Sequence, residues 1–546
     1  MSAAAVYPLL IPQLVNHFLP SRILSLHLGT SRCTMTCSHL LFFLLSLFGP
    51  ILRCSGSTDD TDPDFWERSG RQRLEQLLHP HIIDSPAKNI IVFIGDGMGI
   101  STVTAARIYS GQMQNKSGEE AMLAFDRFPY TALVKTYAVD RQVVDSAASA
   151  TAMFTGVKTR NAVIGLSARA QLSNCDSAAG NYVYSFMDKA QEKGMATGFV
   201  TSTRVTHATP AALYSHSVNR DWEADSKMPK GVTRCKDIAR QLIEDAPGNK
   251  FKVVLGGGLD YFKPKGSTSS ARRTDGQDLV KEWMSSKENA TFVATAQALR
   301  NIDLNSTEYL MGLFSPDHMD YALKRSKEQP SLPEMVETAI RMLKKSSQGF
   351  ALMVEGGRID HAHHENKAHL SLGEAEEMSR AVHLARSLTD LDDTLILVTA
   401  DHSHSFVING YPKRGNPIFG MAGVSKYDHL PYATLGYTNG PSKTTRSSNN
   451  VEHSQSLDYQ QPVLVPLSTE THGGEDVALY ASGPMAHLVR GVIEQNVLSY
   501  IIDYATCLGG YRDRSSTKGA ATVVYVNHVL VFLVVITALL RTLQSS

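Results

Sequence analysis

The sequence predicts an α/β protein with a central, mostly parallel sheet that helices cover on both faces. Short runs of β-branched and other apolar residues recur along the chain, and stretches with helical spacing of apolar residues lie between them. Continuous apolar strands that alternate with helices are typical of parallel sheets buried on both faces. With 546 residues, 42% of them hydrophobic, the chain is long enough to bury such a core in one large domain or two.

The pattern places the elements in order along the chain. Strands are predicted at residues 89–95, 196–201, 251–255, 350–354, 394–399 and 477–481. Helices are predicted at residues 101–112, 147–154, 334–346 and 375–388, after an amphipathic N-terminal helix at 62–78. Between about 409 and 468 the composition changes to Gly, Pro, Asn, Ser and Tyr with weak periodicity, which predicts a small insertion on the main sheet.

The N-terminal region has the order of a secretory signal peptide. The apolar run LLFFLLSL at 40–47 precedes Gly49, Pro50 and small polar residues at 55–57. We therefore expect residues 1–56 to be a signal region, with Met35 as a possible start. The alternative is an uncut signal anchor, although the apolar run is shorter than the ~20 residues that a bilayer requires.

The C-terminal region is typical of a lipid-anchor signal. A polar stretch of small residues at 514–520 precedes an apolar run at 529–540. We expect a GPI anchor at Ser515 or Ser516 and removal of residues 516–546. A retained transmembrane helix is the alternative, but polar residues shorten the apolar run and few basic residues flank it.

The predicted signal and anchor segments indicate passage through the oxidising secretory pathway, where disulfides and N-linked glycans form. Three of the six cysteines lie in or before the signal region; of the other three, Cys175 and Cys235 are the expected disulfide, which leaves Cys507 as an odd thiol. The predicted glycosylation sites are Asn115, Asn289 and Asn305.

Acidic and histidine residues follow directly after three of the predicted strands. These segments are GDGMG at 95–99, EGGRIDHAHH at 355–364 and DHSH at 401–404. Ligands of open α/β sheets bind outside the carboxyl ends of the strands, so one site can collect all three segments. Asp360 and His364 stand four apart, which puts both on one face of a helix, and such carboxylate and imidazole pairs suit zinc.

The segment Asp145-Ser146-Ala147-Ala148 begins a predicted helix. Asp145 is placed as the cap and Ser146 in the first turn, where the positive end of a helix stabilises an anion such as a phosphorylated serine. Taken alone the segment is a common helix start.

Together these segments resemble the motifs of the alkaline phosphatases, in particular the animal, lipid-anchored branch. The resemblance runs from residue 64 to about 484. Its motifs are FIGDGMGIS at 93–101, DSAASATA at 145–152, TRVTHATPAALYSH at 203–216, VEGGRIDHAHH at 354–364, TADHSHSF at 399–406 and THGGEDVALYA at 471–481. It implies an alkaline-phosphatase-like fold and hydrolysis of phosphate monoesters through a phosphoserine.

The resemblance also implies two zinc ions and one magnesium ion per subunit. Ser146 matches the nucleophile, which also binds metal, and Arg220 matches the guanidinium that grips the phosphate. The residues that match the metal ligands are Asp360, His364 and His472 for one zinc, Asp96, Asp401 and His402 for the other, and Asp96, Thr209 and Glu355 for magnesium. Residues that match positions behind the ligands or beside the phosphate are His207, His361 and His404.

A catalytic domain over 57–515 is implied, with the insertion at about 409–468 forming a crown over a homodimer interface. The predicted signal peptide and lipid anchor together place this domain on the extracellular face of the cell membrane. A fourth, calcium-like site found in many animal relatives is predicted to be absent or very weak. The carboxylates expected after the glycine turn at 256–258 and around the Leu-Phe pair at 313–314 are missing here.

Three other functions compete with this interpretation. A phosphodiesterase or a sulfatase shares the two-metal half of the site, but Arg220, Thr209 and Glu355 favour a monoesterase. The third alternative is a catalytically silent surface protein. The presence of Ser146, Arg220 and every predicted metal ligand argues against it, because a silent protein does not need all of them. Nucleic-acid binding is not expected, because the formal net charge is zero and no basic excess is present.

Overall fold

A computed structural model of the chain describes residues 60–447 and 453–511. The predicted signal region, the anchor residues Ser515 and Ser516 and the C-terminal apolar run lie outside these ranges. The chain divides into two units, one up to Pro80 and one from His81 onwards. Within the described ranges, no helix has the length and apolar character needed to cross a membrane.

The described part of the first unit is mainly one helix, α1 (Pro63–Leu78). It begins where the sequence predicts, because Asp62 caps it by accepting a hydrogen bond from the Asp64 backbone N–H at 3.0 Å. None of its residues is buried.

The second unit contains one large sheet and several small ones. The strands are β1 (Asn89–Gly95), β2 (Tyr130–Lys135), β3 (Ala196–Arg204), β4 (Val253–Gly257), β5 (Ala290–Val293), β6 (Tyr309–Leu313), β7 (Phe350–Gly356), β8 (Thr394–Ala400), β9 (Ser403–His404), β10 (Phe406–Ile408), β11 (Met421–Val424), β12 (Pro431–Ala433), β13 (Leu435–Gly440), β14 (Val463–Pro466), β15 (His472–Gly473), β16 (Val477–Ser482) and β17 (Gly491–Glu494).

Helices cover the large sheet and precede or follow its strands. They are α2 (Ile100–Gln112), α3 (Ser146–Thr155), α4 (Phe186–Glu192), α5 (Ala208–Ala211), α6 (Ile238–Glu244), α7 (Leu279–Ser285), α8 (Ala296–Arg300), α9 (Leu332–Leu343), α10 (Arg358–His364), α11 (Ala368–Leu388) and α12 (Val497–Ala505).

The large sheet has ten strands in the order β17-β2-β16-β8-β1-β7-β3-β4-β6-β5. It is mostly parallel, with β16 antiparallel to both of its neighbours. Every residue of β1, β7 and β8 is buried, which is why these strands read as continuous apolar runs. The α/β fold predicted from the sequence is confirmed.

The described residues of the insertion predicted at about 409–468 (409–447 and 453–468) do not add to the large sheet. Its strands belong to a three-stranded sheet, β10-β13-β14, and a two-stranded sheet, β11-β12. That these small sheets form a crown over a dimer interface stays a prediction.

A small apolar cluster beside the main core holds the loop that carries Arg220. It is formed by Val163, Leu166, Ala170, Ala178, Val218 and Trp222. Cys175 and Cys235 pack against this cluster and are joined by the predicted disulfide, while Cys507 forms no disulfide within the part of the chain that the structure describes. The cross-link closes a loop of 60 residues, which restricts the unfolded chain and so stabilises the folded loop.

Candidate functional site

The carboxyl ends of the central strands bring together acidic residues that are far apart in the sequence. Asp96 follows β1, Asp401 follows β8, and Glu355 lies near the end of β7. The parallel register aligns the last residues of β1 with those of both neighbouring strands. All three side chains are fully buried at this edge, as expected for a site built on strand ends.

Ser146 lies at the N-terminus of α3, facing these carboxylates. Asp145 caps the helix, and its Oδ1 accepts a hydrogen bond from the Ala148 backbone N–H at 3.1 Å. Ser146 Oγ lies 3.2 Å from His402 Nε2 and 3.4 Å from both carboxylate oxygens of Asp96. Negative charge on this oxygen, or on a phosphoryl group attached to it, would lie at the positive end of the helix dipole.

One group of ligand atoms surrounds Asp360. As predicted, Asp360 and His364 lie on one face of a helix, α10, and His364 Nε2 is 3.3 Å from Asp360 Oδ2. His472 Nε2 lies 3.3 Å from Asp360 Oδ1 and 3.2 Å from His364 Nε2. Two imidazole nitrogens and a carboxylate this close are donors of the kind that suits a zinc ion.

A second group of ligand atoms includes Asp96 and lies next to Ser146. His402 Nε2 is 3.1 Å from Asp401 Oδ2 and 3.5 Å from Asp96 Oδ1. All three residues are fully buried, and their ligand atoms lie within 4.8 Å of one another. Here the donors are two carboxylates and one imidazole, the reverse of the first group's ratio, and this set also suits a zinc ion.

The second nitrogen of each of these imidazoles is held by a backbone carbonyl. The Nδ1 atoms of His472, His364 and His402 lie 2.8, 2.6 and 3.2 Å from the carbonyl oxygens of Val144, Glu470 and Ser403. A carbonyl only accepts, so Nδ1 carries the hydrogen and the lone pair is on Nε2. The lone pairs therefore face the carboxylates, as metal ligation requires.

A third group offers oxygen atoms. Glu355 and Asp96 lie together, with His207 beside them. Thr209 Oγ1 and Glu355 Oε1 are buried and have no hydrogen-bond partner among residues 60–447 and 453–511. Unpaired buried oxygens are costly, and a hard cation such as Mg²⁺ would satisfy them.

The carboxylates of these groups repel one another in a buried environment. Burial and the neighbouring charges of Asp401 and Asp360 raise the pKa of Asp96 well above its usual value. Burial also raises the pKa of Asp401, and it raises that of Glu355 to about 7. Divalent cations would stabilise the charged forms, so the donor set fits metal ions.

Arg220 reaches the site from the disulfide-linked loop. Its Nη1 lies 3.0 Å from Asp145 Oδ2, and its Nη2 lies 3.2 Å from His207 Nε2. Asp145 thus both caps the helix of Ser146 and orients the guanidinium. The arrangement presents a planar, charged donor beside the serine, as phosphate recognition requires.

His361 and His404 are near the ligands, where the sequence places them. His361 Nδ1 lies 3.4 Å from Arg358 Nη1. His404 uses both ring nitrogens for carboxylates, since Nε2 is 2.8 Å from Asp360 Oδ1 and Nδ1 is 2.6 Å from Glu470 Oε2. Although burial opposes it, these carboxylates raise the pKa of His404 to about 10. The imidazole therefore donates from both nitrogens, and one of these hydrogen bonds holds the Asp360 carboxylate in place.

Glu470 is the site residue that sequence reasoning missed. It is fully buried, and it contacts His404 through its side chain and His364 through its backbone oxygen. It lies two positions before His472 in a segment without periodicity. The only signal was a carboxylate close to a histidine that the resemblance predicts to bind metal.

The backbone at Gly97 requires a glycine. Its φ is +70°, and a Cβ atom there would lie 2.3 Å from His404 Nε2. The Gly97 N–H donates a hydrogen bond to Asp401 Oδ1 at 3.0 Å. A side chain would therefore displace His404 and disturb the contact between the Gly97 backbone and Asp401.

Two further predictions fall on the described surface. The side chains of Asn115, Asn289 and Asn305 are exposed, as glycosylation would require. Around the predicted missing calcium site, Asp317 accepts hydrogen bonds from Arg204 at 2.5 Å and Arg272 at 3.1 Å. The absence of that site remains a prediction.

Comparison with known proteins identifies the family. The alkaline phosphatase family model matches residues 87–508. The chain is 46% identical over 506 residues to the tissue-nonspecific alkaline phosphatase of Gallus gallus, covering 88% of this chain and 97% of the relative. It is 45% identical over 471 residues to the tissue-nonspecific isozyme of Homo sapiens, covering 82% of this chain and 90% of the relative.

Solved structures share the fold. The alkaline phosphatase of Thermus thermophilus has a TM-score of 0.58 at 25% identity, covering 80% of this chain and 94% of its own. That of the Antarctic bacterium TAB5 has a TM-score of 0.56 at 23% identity, covering 78% and 99%. The chain belongs to the alkaline phosphatase family and is a phosphomonoester hydrolase.

Proposed function

We propose that the protein hydrolyses phosphate monoesters through a phosphorylated Ser146, at a site for two zinc ions and one magnesium ion. The observation that carries the proposal is the position of Ser146 Oγ. It lies at a helix N-terminus, within 3.4 Å of ligand atoms from both His402 and Asp96. The nucleophile is therefore already next to the groups that would activate it.

The chain's own residues fit these ions. The first zinc would be held by Asp360, His364 and His472, the second by Asp96, Asp401, His402 and Ser146, and magnesium by Asp96, Thr209 and Glu355. Bound ions of this kind lower the pKa of oxygen ligands and stabilise the attacking and leaving oxygens of an in-line displacement. A mutant of the TAB5 enzyme has been solved with Mg bound in its M3 site, which agrees with a magnesium position in the family.

The protein residues then orient the reaction. Ser146 Oγ–H donates towards Asp96, so the oxygen is held for attack on phosphorus. The new bond joins Oγ to phosphorus while the bond from phosphorus to the leaving alcohol breaks. Water then attacks the phosphoserine, releasing inorganic phosphate and restoring Ser146. Arg220 and the N-terminus of α3 stabilise the charge on the phosphoryl oxygens in both steps.

The cellular setting completes the proposal. The protein would act on the extracellular face of the cell membrane, as a GPI-anchored homodimer whose crown is the insertion at about 409–468. Helix α1 supports a subunit interface, because it exposes Trp66, Leu74, Leu77 and Leu78 and exposed apolar clusters mark interaction sites. The exposed sequons agree with passage through the secretory pathway.

Substrate class tests the proposed function. We expect kcat/KM for p-nitrophenyl phosphate to exceed that for bis(p-nitrophenyl) phosphate or p-nitrophenyl sulfate by at least about 10³-fold, since a diester lacks one charged oxygen for Arg220 and the magnesium group. The measurement is hydrolysis by the secreted, metal-loaded protein at alkaline pH. A faster diester or sulfate ester would identify one of the alternatives, and a folded, metal-loaded protein without activity would indicate a binding protein.

Arg220→Ala tests the phosphate grip. We expect kcat/KM to fall by roughly 10- to 100-fold, because charge-assisted hydrogen bonds to phosphate are each worth about 1.5–3 kcal/mol. Arg160→Ala is the control, since Arg160 lies in the same region and donates to the Ala168 carbonyl at 2.8 Å. Equal kinetics of the two variants would remove Arg220 from the proposed site.

A further inference from the structure

Glu470 connects three of the groups that surround the first proposed zinc position. Its Oε2 lies 2.6 Å from His404 Nδ1, and the other ring nitrogen of His404 lies 2.8 Å from Asp360 Oδ1. Its backbone oxygen lies 2.6 Å from His364 Nδ1. Two of the three zinc ligands, Asp360 and His364, are thus held by one residue.

The Glu470 carboxylate is itself fixed. Its Oε1 accepts hydrogen bonds from the backbone N–H and the hydroxyl of Ser405, both at 2.7 Å. The side chain has no solvent exposure. Every contact that the carboxylate makes is with a donor, so both oxygens have to be acceptors, and no neutral side chain of this shape offers two.

The surrounding backbone keeps these contacts in register. β9 pairs antiparallel with β15, which aligns His404 with His472, the third ligand. The Glu470 backbone N–H also donates to the His364 carbonyl at 3.1 Å. The strand pair and Glu470 therefore connect all three proposed ligands of the first zinc ion. Among the described residues, the hydrogen bonds of Glu470 itself reach none of Asp96, Asp401 and His402, whereas β9 contacts the second group through the Ser403 carbonyl, 3.2 Å from His402 Nδ1.

We propose that Glu470 is a positioning residue of the first zinc site, acting through His404 on Asp360 and directly on His364. It touches no substrate. A neutral amide in its place keeps one acceptor oxygen and brings an NH2 donor, so either His404 Nδ1–H or the two Ser405 donors lose their acceptor and Asp360 is held less firmly. Outer partners of metal ligands typically contribute 10- to 100-fold to metal affinity. This inference depends on the zinc assignment of the proposed function.

Glu470→Gln, which preserves size, tests the proposal by zinc release. The secreted full chain is loaded with zinc and magnesium and then mixed with a chromogenic chelator, and release of each zinc ion is followed over time. We expect one zinc ion per subunit to be lost about 10- to 100-fold faster than in the wild type, and the second at the wild-type rate. His404→Gln should accelerate release of the same ion.

Glu365→Gln is the matched control. Glu365 follows His364 directly, and its carboxylate binds the Tyr321 hydroxyl at 2.7 Å and Lys367 at 2.6 Å, away from the ligands. We expect zinc release from this variant at the wild-type rate. Cobalt substitution adds a spectroscopic readout, since a distorted first site should change the visible absorption of only one of two bound ions.

The outcomes separate the two claims. If the wild type retains two zinc ions and Glu470→Gln releases both at wild-type rates, the positioning role is wrong and the proposed function stands. Faster release of both ions to the same extent also contradicts it, because a general loss of packing would act on both sites. A wild type that binds no zinc would overturn the proposed function together with this inference.

Discussion

Replacing Ser146 by alanine is expected to lower kcat for phosphomonoester hydrolysis by at least about 10⁴-fold, as loss of a nucleophile does in other covalent catalysts. The reason is that Ser146 Oγ is the hydroxyl that faces both His402 and Asp96. The hydroxyl is small and lies at a helix N-terminus, so its loss should leave the fold intact. Steady-state hydrolysis of p-nitrophenyl phosphate measures the effect.

Ser167→Ala is a suitable control for that variant. The Ser167 hydroxyl donates to Asn181 Oδ1 at 2.9 Å in a loop away from the ligands. We expect its kcat to stay close to that of the wild type. Substantial turnover by a folded, metal-loaded Ser146→Ala protein would mean that water attacks the substrate directly and that the phosphoserine mechanism is wrong.

Removal of metal is expected to have an effect of similar size. A strong chelator should abolish hydrolysis, and addition of zinc with magnesium should restore it, because ions supply several kcal/mol of charge stabilisation in such reactions. The measurement is activity before and after dialysis, with zinc and magnesium added separately and together. Activity that survives complete loss of bound zinc would contradict the metal assignment.

Metal removal should also make stability depend on pH. Burial raises the pKa of Glu355 from 4.5 to about 7, so the folded metal-free protein binds more protons than the unfolded chain between these values. Its free energy of unfolding should therefore fall as pH rises from about 4.5 through about 7. Thermal unfolding at pH 5 and pH 7.5 should show a larger stabilisation by metal at the higher pH. An equal effect at both pH values would contradict the electrostatic account.

The central strands were predictable because burial on both faces leaves an unmistakable pattern. β1 has the predicted limits, and β3, β4, β7, β8 and β16 differ from prediction by only a few residues at their ends. The edge strands were missed for a physical reason. All residues of β17 and all of β5 except Val293 are half-buried or exposed, so burial on both faces does not impose a continuous apolar run on these sequences.

Some residues of the candidate site were likewise predictable from the sequence, and one was not. Asp96, Asp360 and Asp401 could be selected because they follow strands or lie at helical spacing from a histidine, and such rules depend on local geometry. Glu470 could not, because its role follows from the pairing of β9 with β15 and from a histidine 66 residues away in the sequence. Tertiary contacts of that kind leave no periodic signal in one sequence.

The most direct test of the central claim is chemical identification of the phosphorylated residue. The metal-loaded protein is incubated with a phosphomonoester, quenched in acid to preserve a serine phosphate, digested and analysed by mass spectrometry. We expect one phosphoryl group on Ser146 in the wild type and none in Ser146→Ala. A phosphoryl group on another residue, or an active enzyme whose Ser146 never carries one under any quench condition, would contradict it.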